Sequence, residues 1–253
     1  MPMLIRLIAA LPILLALTGP GHAAGGRVPV DLELVLAVDV SGSIDPDEAE
    51  LQRRGYVQAF LNPKVINAIR SGPYGRIAVT YVEWAGDHYQ QTVVGWTLLD
   101  RHEAITDFAD RLGESGIGRE RWTSISAALA YCSTLFENNG FEGTRKVIDV
   151  SGDGPNNSGP PVSFIRDAVV EKGITINGLP IINDRPNPWG GEPPRDLDGY
   201  YRTNVIGGPG AFLVVADGFD AFAQAILTKL LLEISGLPPS SDHAACPRCS
   251  ELP

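Results

Sequence analysis

The sequence predicts an α/β fold: a three-layer, doubly wound, mostly parallel sheet with helices on both faces and one antiparallel edge strand. Three observations carry that expectation. Short apolar runs alternate with helical patterns along the chain, which is how a sheet with crossover helices reads. Leu32-Glu-Leu-Val-Leu-Ala-Val38 is almost unbroken in its apolarity, as a central parallel strand covered on both faces must be. Arg76 to Glu83 and Tyr89 to Trp96 are two strand-like runs joined only by a short Gly86-Asp87 turn, so they pair as an antiparallel hairpin at a sheet edge.

The elements follow in order. Asp39 falls where the first strand ends. Asp45 then offers an N-cap, Pro46 suits the first helical position and Glu48 completes a capping box, for a helix to about Leu61 that Pro63 closes. After the hairpin, Asp100 to Leu112 reads as a helix. Another begins near Thr123, with Ile125, Ala128, Leu129, Cys132 and Phe136 on one face, so Cys132 is a core residue. Arg145 to Val150 is the next strand, Val162 to Lys172 a helix closed by Gly173, and Ile174 to Pro180 a strand. Asn183 to Gly210, rich in Pro and Gly, reads as a long functional loop with one short helix around Asp198 to Val205. Ala211 to Ala216 is the last strand. Phe219, Phe222, Ala223, Ile226, Leu230 and Ile234 stripe a closing helix that Gly236 and Pro238 stop.

The chain has 253 residues, 44% of them hydrophobic, which fits one globular domain. A short basic start ending in Arg6, the apolar stretch Leu7 to Leu17 and the small residues at Gly21-His-Ala23 read as a secretory signal peptide over residues 1–23. A spanning helix needs about 20 apolar residues, more than this stretch provides. The expected organisation is a signal peptide cleaved near Ala23, a domain over 31–236 and a flexible tail over 237–253. That places the mature chain in the periplasm or outside the cell, without a transmembrane segment. The formal net charge is −10, and −11 once residues 1–23 are removed, because Arg6 is their only charged residue. Such a charge argues against a nucleic-acid partner.

Catalytic signatures are few. Gly113-Glu-Ser115-Gly116-Ile117 fails as a nucleophile elbow at its last position. Neither a phosphate-binding loop nor a dinucleotide fingerprint follows the first strand, and the four His residues have no zinc spacing. Cys246-Pro-Arg-Cys249 lies in a Pro/Ser-rich tail, where a local disulfide or a tail ornament is a better reading than redox catalysis.

The chemistry concentrates where two strands end. Asp39-Val-Ser41-Gly-Ser43 leaves the first, and Ser151-Gly-Asp153-Gly154 leaves the strand near Val150. In an open parallel sheet, carboxyl ends of strands form the ligand crevice. Both loops set short oxygen-bearing side chains beside Gly, which lets the backbone turn sharply enough for them to converge. Hard cations want such oxygens, with one or two carboxylates for charge. Turn chemistry alone would also use Asp, Ser and Gly.

These residues resemble the metal-ion-dependent adhesion site of von Willebrand factor A domains, whose pattern is Asp-x-Ser-x-Ser, then a distant Thr, then a distant Asp. The resemblance covers about residues 31–236, and uncharacterised exported bacterial proteins of that class are similar. It implies a metal held by Asp39, Ser41, Ser43, Thr123 and Asp153, with Mg²⁺ the expected ion and Mn²⁺ or Ca²⁺ as alternatives. Thr123 has a second reading as a helix N-cap, which Ser124 would fill nearly as well. The implied function is protein binding of the adhesion type, in which the metal's open position takes an Asp or Glu carboxylate of a partner protein. A metal-dependent periplasmic hydrolase and a structural domain with an unused site are the alternatives. Arg119, Glu120, Arg121 and Trp122 make a bulkier rim before Thr123 than many family members have. Arg121, Trp122 and Trp189 are therefore candidate partner contacts, with Trp84, Tyr200 and Tyr201 in the same vicinity.

Overall fold

A computed structural model describes residues 26–183 and 192–236. Its centre is the strand β2 (Glu33–Asp39), whose seven residues are all buried. On one side β2 pairs in parallel with β3 (Ile77–Trp84), and β4 (Gln90–Leu99) runs antiparallel outside it. On the other side come β6 (Lys146–Gly152), β7 (Thr175–Ile182) and β8 (Ala216–Asp217), all parallel. The order β4-β3-β2-β6-β7-β8 is the expected doubly wound sheet with one antiparallel edge. Two short strands, β1 (Val28–Val30) and β5 (Phe141–Gly143), pair separately; neither was expected from the sequence.

Alternation along β2 builds both cores. Leu34, Leu36 and Val38 pack on one face with α1 (Pro46–Phe60), α2 (Pro63–Arg70), α3 (His102–Glu114) and α7 (Phe222–Ser235). Val35 and Ala37 pack on the other with α4 (Ile125–Thr134), α5 (Val162–Glu171) and the turns around Leu197 and Tyr201. A strand covered on both faces has no polar face to show, hence the unbroken apolar run. Cys132 is buried among these residues, as its helical position implied.

Several expectations need correction. Pro63 does not merely end α1; it opens α2, whose N-cap Asn62 accepts a hydrogen bond from Lys64 N–H at 2.9 Å. Proline is as much at home at a helix start as after a helix end. The last strand is shorter than Ala211–Ala216, and only Ala216–Asp217 joins the ladder. Upstream, Phe212 N–H donates to the Asn177 side chain at 3.1 Å, and Gly178 exchanges bonds with Phe212 and Val214, so backbone groups are satisfied without a regular strand. The short helix in the long loop is α6 (Leu197–Tyr200) continued by a π-helical turn over Tyr201–Val205. Trp84 is wholly buried at the end of β3, a core residue and not a rim contact. Among the described residues no helix is long and apolar enough to cross a membrane.

Candidate metal centre

Strands β2 and β6 are parallel neighbours, with Val38 opposite Ser151, so the loops that leave them start side by side. Asp39, wholly buried at the end of β2, turns its own loop by accepting a hydrogen bond from Ser41 N–H at 2.7 Å. The capping box on α1 is complete: Glu48 N–H donates to the Asp45 carboxylate, and Asp45 N–H to that of Glu48, both at 2.9 Å. That fixes the start of α1 and, with it, the Asp39–Ser43 loop.

The five residues expected at the site come together. Ser41 Oγ and Ser43 Oγ lie 3.1 Å apart, Ser43 Oγ donates to Asp153 Oδ1 at 2.7 Å, and Thr123 Oγ1 donates to Ser41 Oγ at 3.4 Å. The N-cap of α4 is Ser124, whose hydroxyl accepts from Ala127 N–H at 3.3 Å, leaving the Thr123 hydroxyl for the site. The segment after Asp153 clamps Thr123 in place: its N–H donates to Asn157 Oδ1 at 2.8 Å, and its carbonyl accepts from Asn157 N–H at 2.8 Å.

The electrostatics are unbalanced. Burial, and then the charge of Asp153, hold the Asp39 carboxyl well above the usual carboxylate range. Burial raises Asp153 to about 6 against the pull of the Ser43 hydroxyl, and the buried Glu48 carboxylate adds to the rise. Asp39 Oδ2 is buried and has no hydrogen-bond partner. An acid oxygen left without a donor in a dry place, beside a second acid, calls for a cation. The donor set fits a hard divalent ion: two carboxylates supply charge, three hydroxyls supply neutral oxygens, and water completes the shell. Among the described residues no three His, Cys, Asp or Glu side chains group as a metal site, so a cation at this place would depend on the hydroxyls as well.

Some neighbours were not anticipated. The Tyr201 hydroxyl is buried without a partner, and a Cβ on Gly152 would stand 2.9 Å from it and 2.8 Å from Asp39 Oδ2. Only glycine at 152 leaves room for both oxygens. Tyr201 is thus core packing with its polar end at the site, whereas the Tyr200 hydroxyl accepts from Asn156 N–H at 3.2 Å. Glu48 was legible only as a cap. Trp122 stands 64% exposed beside Thr123 with φ of 69°, a left-handed conformation costly for a bulky residue. Gly86 N–H donates to the Arg121 carbonyl at 3.1 Å and helps to hold that turn. Arg121 is exposed on the same rim. Trp189, the Cys246 and Cys249 pair and residues 1–23 lie outside the described residues.

A family model described as "Protein of unknown function (DUF1194)" matches residues 29–238. The chain belongs to this family. The search of curated proteins returned no match for this DUF1194 chain. Solved structures share the fold. Proximal thread matrix protein 1 of the mussel byssus superposes with a TM-score of 0.58 at 14% identity, covering 83% of the DUF1194 chain and 49% of its own. Another structure of that protein, described as having a zinc-occupied MIDAS motif, gives 0.55 at 14% identity, covering 80% and 45%. A von Willebrand factor type A protein of Catenulispora acidiphila gives 0.55 at 13%, covering 81% and 43%. The DUF1194 chain therefore spans less than half the length of each, and what it shares with them is the von Willebrand A fold.

Proposed function

We propose that the protein is a metal-dependent protein-binding domain, in which a divalent cation held by Asp39, Ser41, Ser43, Thr123 and Asp153 captures an acidic group of a partner protein. The observation that carries this reading is the buried Asp39 oxygen without a donor, facing a second buried carboxylate across a ring of hydroxyls. Two Asp charges neutralise a divalent ion and no more, so a carboxylate from outside is a favourable further ligand. Mg²⁺ suits the oxygen set; the zinc of the mussel protein belongs to that protein, though it supports a divalent ion at this place in the fold. Export, the reading of residues 1–23, would set the site facing the periplasm or the exterior.

The test is capture of a partner from periplasmic extract on immobilised protein, with Mg²⁺ or with EDTA, beside Asp39→Ala. Binding that needs the metal and fails in the variant is the expected result. Metal-dependent turnover of ester or phosphoester substrates by the wild type alone would replace this reading with a hydrolase.

A further inference from the structure

A groove of about 550 Å³ opens beside the metal loop, between α1 and residues 113–119. That volume lies within the roughly 300–1,000 Å³ of ligand pockets. Val57 and Ile117 contribute apolar surface, while Val40 and Ile44, which flank the serines of the metal loop, are buried beneath it. The far wall is fixed from within. Buried Arg53 donates to the carbonyls of Leu112 at 2.7 Å and Ser115 at 2.9 Å and pairs with Glu83 at 2.5 Å. Glu83 in turn accepts from Gly118 N–H at 2.8 Å, and Glu120 N–H donates to the Val40 carbonyl at 3.2 Å. The wall is thereby tied to the metal loop, and a partner would not have to order it.

The groove's exposed charges are Arg54, Arg119 and Glu50, and the half-buried Asp45, whose carboxylate caps α1, adds an acid at the metal-loop end. Neither arginine makes an ion pair with a described residue, in a chain that carries ten more acids than bases. Long-range repulsion of an acidic partner is screened beyond about 8 Å at physiological salt, so at contact distance the local charges decide, with Arg54 and Arg119 attracting an acid and Glu50 and Asp45 opposing it. Ile44 directly follows the metal-loop residue Ser43. An extended segment advances about 3.3 Å per residue, so one strand of a partner can reach the metal and the groove together.

We propose that the groove seats an extended, acidic segment of the protein partner: one carboxylate on the metal, an apolar side chain against Val57 and Ile117, and a second acid at Arg54 and Arg119. This rests on the metal-dependent reading above and names the partner's chemistry. Glu50 opposes the same acid and sets the sign of the test.

The probe is a library of dodecapeptides with a fixed central Asp, selected on the full protein in Mg²⁺. Fluorescence anisotropy follows the best peptide on wild type, Arg54→Gln/Arg119→Gln and Glu50→Gln, and calorimetry follows Mg²⁺ on each. All three positions are exposed, so folding is not at stake. The expected peptides carry an apolar residue and a second acid on one side of the Asp. The double substitution weakens the best one about tenfold, Glu50→Gln tightens it, and Mg²⁺ affinity stays within about twofold in both. Flanks without that pattern, an unchanged affinity in the double variant, or no selected peptide while Mg²⁺ binds would each overturn the groove and leave the metal reading standing. Failure of Mg²⁺ to bind the wild type would bring down both.

Discussion

Asp39 shows what the proposed ligand position costs the metal-free fold. Its carboxylate is buried, raised in pKa and half unsatisfied, so charge there costs the metal-free fold. Asp39→Asn keeps the shape and removes the charge. In EDTA the variant should melt at or above the wild-type temperature while Mg²⁺ affinity falls at least about a hundredfold; a clear loss of stability would mean that the charge has a partner in the fold. Gly152→Ala tests the packing behind the site. Its Cβ would crowd Asp39 Oδ2 and the Tyr201 hydroxyl, and the expected result by calorimetry is a loss of metal affinity of about tenfold or more with a lowered melting temperature. Of these residues the sequence alone marked Asp39, because an Asp at the end of an apolar strand is visible as a pattern. Gly152 was one glycine among 28, and its need arises only when β2, β6 and Tyr201 meet.

At the scale of elements, Thr123 and Ser124 divide two tasks that the sequence left open between them. Ser124→Ala removes the cap of α4 and should cost about 1 kcal/mol of stability with metal affinity unchanged. Thr123→Ala should do the reverse, a small change in melting temperature with weakened metal binding; denaturant melts and calorimetry on the pair decide it. α1, with its capping box, and α7, with its apolar stripe and Gly236 stop, were legible in the sequence because local chemistry fixes them. α2 was not, since Pro63 is equally a stop and a start, and the irregular run before β8 was not, since the Asn177 side chain rather than a ladder satisfies its backbone. β1 and β5 are three residues each, too short for any periodicity to show.

At the scale of the whole molecule, a further buried charge cluster sits on β6, the strand that leads to Asp153. Lys229 on α7 pairs with Asp149 of β6 and, at 2.7 Å, with Glu233, all wholly buried. Burial and the charge of Asp149 push Glu233 up to about 7 from the usual 4.5, although Lys229 pulls the other way. The folded state then holds this proton more tightly than the unfolded chain does. Its stabilising effect is complete at acid pH and is lost as pH rises from about 4.5 through about 7, with a slope of about 1.4 kcal/mol per pH unit between those two values. Melting temperatures in EDTA should fall over that range, and Glu233→Gln should flatten the fall; an equally steep profile in the variant would remove Glu233 from the account.

The von Willebrand A topology itself was legible because a sheet buried on both faces leaves unbroken apolar runs and because parallel strands bring the two Asp-bearing loops to one end. The run Arg119 to Trp122 was legible as a bulky rim, but the groove beside it was not, since Arg54 and Arg119 belong to different segments that only the fold brings together. The claim that everything else depends on is that those two loops hold a divalent ion. Isothermal titration of Mg²⁺ and Mn²⁺ into the protein, beside Asp39→Ala and Asp153→Ala, tests it most directly. The account predicts one ion per wild-type chain and none in either variant; a wild type that binds neither ion, or variants that bind as it does, would contradict it.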